Sequence, residues 1–528
     1  MGSGEARTIG EVPHRAAARW GRRKALFFRG RAISFAEVAW RADHLAAALA
    51  HRVTPGDRVA VLLENRPEFL LAYFAIPAAG AITVPVNLFL APAEIRAVLR
   101  DSGVRAVIVS ADVVARAPEA LRDLPDLRHV LVVTPDASGG RLTPPSSSAE
   151  WITLAEALRT APRDRSPIPP ADEATSEGTA MLVYTSGTTG QPKGVMLSHR
   201  NLLTNAAACI RAVGVTPRDR VLLFLPMFHS FTSMVAMLTP MLAGMSMVLC
   251  EKVDRVEIRR AILRHRPTIV PGVPAVFTAM AQARIGRLSR WLNPVRMYIS
   301  GGAPLSLDTL AAFERRYRRP LCEGYGLSEA SPVVSINPRG GPRKAGSVGM
   351  PLPGVRVRCM DASGNDVMQG ETGEICVQGG SVMQGYFRLP GETAEALRGG
   401  VLHTGDLGRL DEEGYLFVVG RLKDMLIYRG MNVYPREIET VLEEHPGVKE
   451  AAVVGLPDGT RGEVPIAFVV TQPGHRVSES ELRRACLDRL ARYKVPRSFR
   501  VVAELPRNAT GKVLKARLRE QAASGAAG

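Results

Sequence analysis

Over the first 130 residues, helical stretches such as "FAEVAWRADHLAAALAHRV" alternate with the short apolar runs "DRVAVLL", "AITVPV" and "RAVIVS". Runs this short, rich in valine and isoleucine and without a polar alternation, are strands buried on both faces, which is how parallel strands read. Parallel neighbours need a crossover, and the intervening helical stretches supply it. The fold class is therefore α/β. At 528 residues the chain exceeds what one core holds, because single cores rarely grow past ~250 to 300 residues, so two or more domains are expected.

The pattern changes along the chain. Residues 136–178 contain "PDASGGRLTPPSSSAE" and "APRDRSPIPPADEATSEG", Pro-, Ser- and Gly-rich stretches that read as surface loops or a subdomain link. The alternation then resumes. From residue 347, short β-type runs separated by glycine turns ("GVRVRCMDASGNDV", "GEICVQGG", "GYLFVVGR") predict a small antiparallel sheet or barrel-like part. After Arg421 a compact α+β unit follows, with helices expected near "PREIETVLEEHP" and "SESELRRACLDRLARY" and strands near "EAAVVGLP" and "PIAFVV". The expected division is a large N-terminal domain over residues 1–421 and a small C-terminal domain over residues 422–528.

Residues 221–250 carry no Asp, Glu, Lys or Arg, a length that could span a bilayer. Pro226, His229, Pro240, Gly244 and three serines break the stretch, so a buried strand, helix and strand is the reading preferred to a membrane span. The N-terminus has no apolar run after its basic residues, which argues against a secretory signal. Six cysteines are scattered without ligand spacing, which suggests neither a zinc site nor a disulfide framework and points to a reducing, cytoplasmic compartment. The net charge of +17 comes largely from arginines dispersed among acidic neighbours. With 5% aromatic residues and no reading motif, a nucleic-acid-binding role is not expected.

Residues 184–194, "YTSGTTGQPKG", combine what a phosphate cradle needs: glycines that let amides approach oxygens, hydroxyls that donate, and a lysine that neutralises charge. Gly187, Gly190 and Gly194, the hydroxyls of Thr185, Ser186, Thr188 and Thr189, and Lys193 supply them. It is not the common P-loop, since Pro192 stands before Lys193 and Gly194 after it. The strand-like "TAMLV" before the loop and the helix start "LSHRNLLTNAAA" after it argue against a plain linker.

The loop resembles the signature of the adenylate-forming, AMP-binding superfamily, and further motifs occur in that family's order: "FHSF" (228–231), "SGGAPL" (300–305), "GYGLSE" (324–329), "TGD" (404–406), "GRLKDMLIYRGMNVYPREIE" (420–439) and "NATGK" (508–512). The resemblance covers nearly the whole chain. It implies a mobile C-terminal lid and two-step chemistry, in which a carboxylate attacks the α-phosphorus of ATP and a thiol then captures the acyl-adenylate. By the same resemblance, Lys512 contacts carboxylate and phosphate, Glu329 and Thr185 hold magnesium, and Ser328 stands where the family most often has threonine. Thr185, Ser186, Gly187, Thr188, Thr189 and Lys193 are the phosphate-binding residues it implies. Tyr325, flanked by Gly324 and Gly326, is expected against adenine, with Gly301, Gly302 and Ala303 close to the purine and acyl group. Asp406 and Arg421 would grip the ribose, although an Asp in such a sequence, taken alone, is a turn residue. His229 is expected near the acyl carboxylate as a positioner. Lys423 lies where the family pivots, and the motion would bring Gly430 toward the thiol.

The segment 224–248 offers Met, Leu, Ala and Gly and no charge, so an acid with an apolar tail is expected, first a medium- or long-chain fatty acid and second an aryl acid. Coenzyme A is the expected acceptor, since the sequence ends shortly after Lys512 without an attached carrier-protein domain; a fatty acyl-AMP ligase loading a carrier protein is the alternative. A lipid substrate is compatible with peripheral membrane contact, and a monomer or homodimer is expected.

Overall fold

The computed structural model describes residues 6–134, 149–161, 173–186, 192–283, 286, 290–428, 431–458, 462–507 and 513–524. Two large sheets form its body. In the nine-stranded sheet, Lys24–Phe28, Ser246–Leu249, Arg220–Leu223, Ile269–Gly272, Met297–Ser300 and Leu321–Gly326 run parallel in that spatial order, with antiparallel strands added at both edges. In the eight-stranded sheet, Arg58–Leu62, Ile82–Pro85, Val104–Ser110 and their neighbours are again parallel. The three apolar runs of the sequence are these strands, with Val59, Ala60, Val61, Val107 and Ile108 fully buried, as strands covered on both faces must be.

The uncharged segment folds as a buried strand, a helical turn and a second strand: Arg220–Leu223, helical turns from Ser230 to Ala243 that include a π-helical stretch over Met234–Leu238, then Ser246–Leu249. No helix among the described residues is long and apolar enough to cross a membrane.

The expected barrel-like part is an open sheet. Val355–Met360, Gly373–Gly379, Leu402–Leu410 and Leu416–Arg421 pair antiparallel in that order, and the first and last strands do not meet. Glycine-bounded short runs predict antiparallel turns correctly, but closure depends on the pairing of edges distant in sequence. Beyond it, Val448–Pro457, Glu463–Thr471 and Ser498–Val501 form a three-stranded sheet. Helices Pro435–Glu443 and Glu479–Arg489 cover one face and Lys515–Ser524 the other. The protein is thus mixed α/β with a large N-terminal and a small C-terminal domain.

Candidate active site

Ligands of open parallel sheets sit beyond the C-terminal ends of the strands. There, adjoining strands of the nine-stranded sheet end at Gly272, at Ser300 before Gly301 and Gly302, and at Gly324–Gly326. A cavity of about 170 Å³ opens between them, more than ten times the ~15 Å³ that one water needs. Gly301, Gly302, Gly324, Tyr325, Gly326 and Ser328 line it, together with His229; Ala303 does not, lying exposed just beyond Gly302. Gly302 has a φ of +83°, which glycine alone adopts without strain. A side chain at Gly326 would stand 2.0 Å from the Pro332 carbonyl oxygen. The deeper wall is apolar, formed by Val213, Val235, Met245, Ile269 and Ile299, and the Phe231 ring lies 3.2 Å from where a Cβ at Gly301 would be.

Helix His199–Val213 holds the turn that carries Glu329, next to the cavity-lining Ser328. Ser198 caps the helix, accepting the Asn201 N–H at 3.0 Å while Asn201 accepts the Ser198 N–H at 2.9 Å, which satisfies two donors that a helix start leaves orphaned. One helical turn on, buried Asn205 donates to the Val333 carbonyl at 2.7 Å and to the Ala330 carbonyl at 3.3 Å, and accepts the Val333 N–H at 3.2 Å. These bonds clamp the turn Ser328–Ala330 that carries Glu329. Glu329 accepts a hydrogen bond from the Tyr386 hydroxyl at 3.0 Å. Burial raises its carboxyl above the usual range, and the Tyr386 bond works against that rise. Ser328 and Ser230 share a hydroxyl contact of 3.2 Å.

Asp406, buried, accepts the Tyr325 hydroxyl at 2.7 Å on one oxygen and faces Arg421 Nε at 3.3 Å on the other. Burial first, then the Asp406 charge, hold the Tyr325 hydroxyl well above its ordinary pKa, so it stays a donor. The loop before Asp406 is held by Glu374, which accepts the Gly405 N–H at 3.1 Å and contacts His403 Nδ1 at 2.7 Å. His229, exposed at the cavity, accepts the Phe231 N–H at 3.4 Å on Nδ1, and desolvation by the protein around it lowers its pKa. Burial, then Arg421, lower the pKa of Lys423 in the turn Leu422–Asp424.

The glycine-rich loop joins two antiparallel strands, Thr179–Ser186 and Pro192–Ser198, rather than a strand and a helix; Thr185 stands opposite Lys193 and Ser186 opposite Pro192. Lys193 forms an ion pair with Glu392 and lies 5.2 Å from the centre of the Tyr386 ring. Gly187, Thr188, Thr189, Gly430 and Lys512 lie outside the described residues. The structure thus gathers Tyr325, Asp406 and Arg421 in one cluster, and joins Lys193 to Glu329 through Tyr386. Sequence reasoning missed Tyr386, Glu392 and Glu374, since a tyrosine between glycine and phenylalanine carries no chemical signal of its own.

Residues 13–387 match the family described as AMP-binding enzyme, and residues 437–512 match its C-terminal domain. The chain is 35% identical to a long-chain-fatty-acid–CoA ligase of Bacillus subtilis (strain 168), covering 98% of this chain and 94% of that one. It is 36% identical to a feruloyl-CoA synthase of an Amycolatopsis species, covering 99% of each. Among solved structures, ATP-bound MatB from Rhodopseudomonas palustris superposes with a TM-score of 0.85 at 33% identity, covering 97% of this chain and 98% of that one. The chain therefore belongs to the AMP-binding enzyme family. It is an ATP-dependent acid–thiol ligase with coenzyme A as its thiol substrate.

Proposed function

We propose that the chain activates a medium- or long-chain fatty acid as acyl-AMP and then passes the acyl group to coenzyme A. The observation that carries this reading is the apolar wall of the cavity. Its described lining holds no Asp, Glu, Lys or Arg, and the pKa of its one histidine is lowered by desolvation. A second charge on the acid would meet no counter-charge there, and burying an unpaired charge is costly. A planar aryl acid is the second reading, favoured by the Phe231 ring against Gly301.

In the first step the acid's carboxylate oxygen bonds to the α-phosphorus and pyrophosphate leaves; in the second the thiol sulfur bonds to the acyl carbon, its proton is lost and AMP leaves. The carboxylate is already ionised at neutral pH, so neutral His229 orients it rather than taking a proton. Asp406 has acceptor positions beyond the two occupied by Tyr325 and Arg421, enough for a ribose diol. Lys193, with the hydroxyls of Thr185, Ser186, Thr188 and Thr189, takes the phosphates. Glu329 and Thr185 fit a magnesium ion: a hard cation prefers oxygen donors, and a buried carboxylate with a raised pKa calls for a neighbouring positive charge. When bound, that ion spreads the negative charge of the phosphates. Lys512 contacts the carboxylate and the α-phosphate, which is the electrostatic stabilisation such transfers depend on.

The division we propose puts residues 1–421 in the adenylating part and 422–528 in a lid that moves between the steps, with Lys423 at the pivot and Gly430 facing the thiol. Two clusters of buried residues drawn only from residues 426–522 support an independent second core. A cytoplasmic setting fits six unpaired, buried cysteines. The test is ATP–pyrophosphate exchange over fatty acids of graded length, benzoates and cinnamates, followed by thioester detection with coenzyme A. Exchange is expected to peak with a fatty acid. Exchange with aryl acids alone selects the second reading, and exchange confined to acids bearing a second charge ends both.

A further inference from the structure

Helix Arg255–His265 links the strands Ser246–Leu249 and Ile269–Gly272. Its inward stripe is Ile258, Ala261, Ile262 and His265: Ala261 is buried, the two isoleucines pack on the core beneath the sheet, and His265 lies with its ring centre 4.8 Å from that of Phe27. This stripe accounts for why the segment folds as a helix on the sheet. It does not account for the opposite stripe, where Val256 is 54% and Leu263 65% exposed with Arg259 and Arg260 between them. These four residues and Arg264 line a shallow outer groove, and Val253 just before the helix is 58% exposed.

The acidic groups nearby are already engaged. Asp254 accepts the Glu257 N–H at 2.7 Å to cap the helix, Glu257 accepts the Glu251 N–H at 3.0 Å, and Glu251 pairs with Arg29 at 2.6 Å. Among the described residues, Arg255, Arg259, Arg260 and Arg264 have no carboxylate partner. The turn at Gly30 adjoins, with Arg264 Nη2 3.9 Å from where a Cβ would stand, so exposed Arg31 extends the positive surface. On the same edge of the sheet, where the Thr268 carbonyl accepts the Arg296 N–H at 2.8 Å, the segment before Met297–Ser300 exposes Trp291 to 79%.

We propose that this face docks on the surface of an anionic phospholipid bilayer. Unpaired arginines match the negative charge of acidic headgroups, and each basic residue near such a surface strengthens binding about fivefold. The aliphatic side chains between the arginines enter the headgroup–acyl boundary, as on interfacial helices, and a tryptophan suits the same depth. A single-stranded nucleic acid would match the charge but leave Val253, Val256 and Leu263 unused. The helix covers the face of the sheet that carries Leu222, Val248, Val270 and Tyr298, whereas the cavity is lined by Ile269 and Ile299, whose side chains point to the other face, so docking leaves the cavity open. The proposal deepens the fatty-acid reading, since a bilayer holds such acids, and its test is independent of which acid is activated.

The full-length protein is sedimented with phosphatidylcholine vesicles, with and without phosphatidylglycerol, in the absence of substrates. Binding is expected only to the anionic vesicles, to weaken as salt screens the arginines, and to fall roughly thirtyfold in an Arg259→Gln/Arg260→Gln variant. Leu263→Gln is expected to weaken it further without altering the salt dependence. Both variants keep pyrophosphate exchange with a water-soluble acid, which shows that they fold. Equal binding to neutral vesicles, undiminished binding by the double variant, or displacement of the vesicles by single-stranded RNA overturns the proposal. Failure of exchange with every fatty acid alongside intact vesicle binding removes the fatty-acid reading and leaves this one standing.

Discussion

Replacing Tyr386 by Phe removes one oxygen and keeps the ring. The ring is what Lys193 lies over, at 5.2 Å, so the lysine keeps its platform and its Glu392 partner. The oxygen is what donates to Glu329 at 3.0 Å. A hydrogen bond to a charged group contributes about 1.5 to 3 kcal/mol, and 1.36 kcal/mol is tenfold in rate, so kcat/KM for ATP is expected to fall by about tenfold to 150-fold. A second readout distinguishes lost positioning from general damage. The Tyr386 bond lowers the Glu329 pKa while burial raises it; without the bond the carboxyl rises further, so ionised Glu329 appears at higher pH. The acid limb of the rate–pH profile should therefore shift upward, and the magnesium concentration needed for half-maximal rate should rise, while KM for the acid stays the same. Steady-state kinetics across pH and magnesium measures all of these. A variant whose kcat/KM for ATP stays within about twofold, with an unmoved acid limb, would refute the link between Tyr386 and Glu329.

Lys512→Ala is expected to slow acyl-adenylate formation by orders of magnitude while thioester formation from added acyl-AMP survives; equal adenylation rates in single-turnover assays would remove Lys512 from the first step. Gly326→Ala puts a Cβ 2.0 Å from a backbone carbonyl oxygen, an overpacking that costs about 3 kcal/mol or more, visible as a lowered Tm and lost ATP binding by calorimetry. Glu323 accepts the Leu305 N–H at 3.0 Å, and burial pushes its carboxyl up to about 7. Between its unfolded value of 4.5 and about 7, the folded chain keeps a proton that the unfolded chain has lost, so this group's contribution to stability falls as pH rises through that window. Glu323→Gln should raise Tm most near about pH 8, with at most about 3 kcal/mol at stake; Tm curves for the two proteins that run parallel across pH would contradict this.

The parallel strands were legible because burial on both faces leaves a local mark, a valine- and isoleucine-rich run with no polar alternation. The open edge of the antiparallel sheet left no such mark, since strands Val355–Met360 and Leu416–Arg421 fail to meet only through pairing that each residue's neighbours do not record. Tyr325, Glu329 and Asp406 could be named as candidates from several motifs in one order. Tyr386 and Glu392 could not, because their relation to Lys193 arises from strand Gly385–Tyr386 pairing against Pro192–Ser198, with Tyr386 opposite Val195. The Phe387 N–H reinforces that pairing by donating to the Gly194 carbonyl at 2.7 Å.

That edge pairing has an electrostatic consequence for the phosphate loop. Lys193 already has partners: its ammonium pairs with Glu392 and lies over the Tyr386 ring. On the proposed reading, in which Lys193 takes the phosphates of ATP, a triphosphate carries more negative charge than one carboxylate, so the lysine can be shared between them. Glu392 then holds Lys193 in place before the nucleotide arrives, and the entropy of ordering a long side chain, up to about 2 kcal/mol, is met on folding rather than on binding. Glu392→Gln should accordingly weaken ATP binding, although removing a negative charge beside the phosphates would, on Coulomb attraction alone, strengthen it. Tighter ATP binding by this variant in titration calorimetry would show that Glu392 competes with the phosphates instead of preparing the lysine for them.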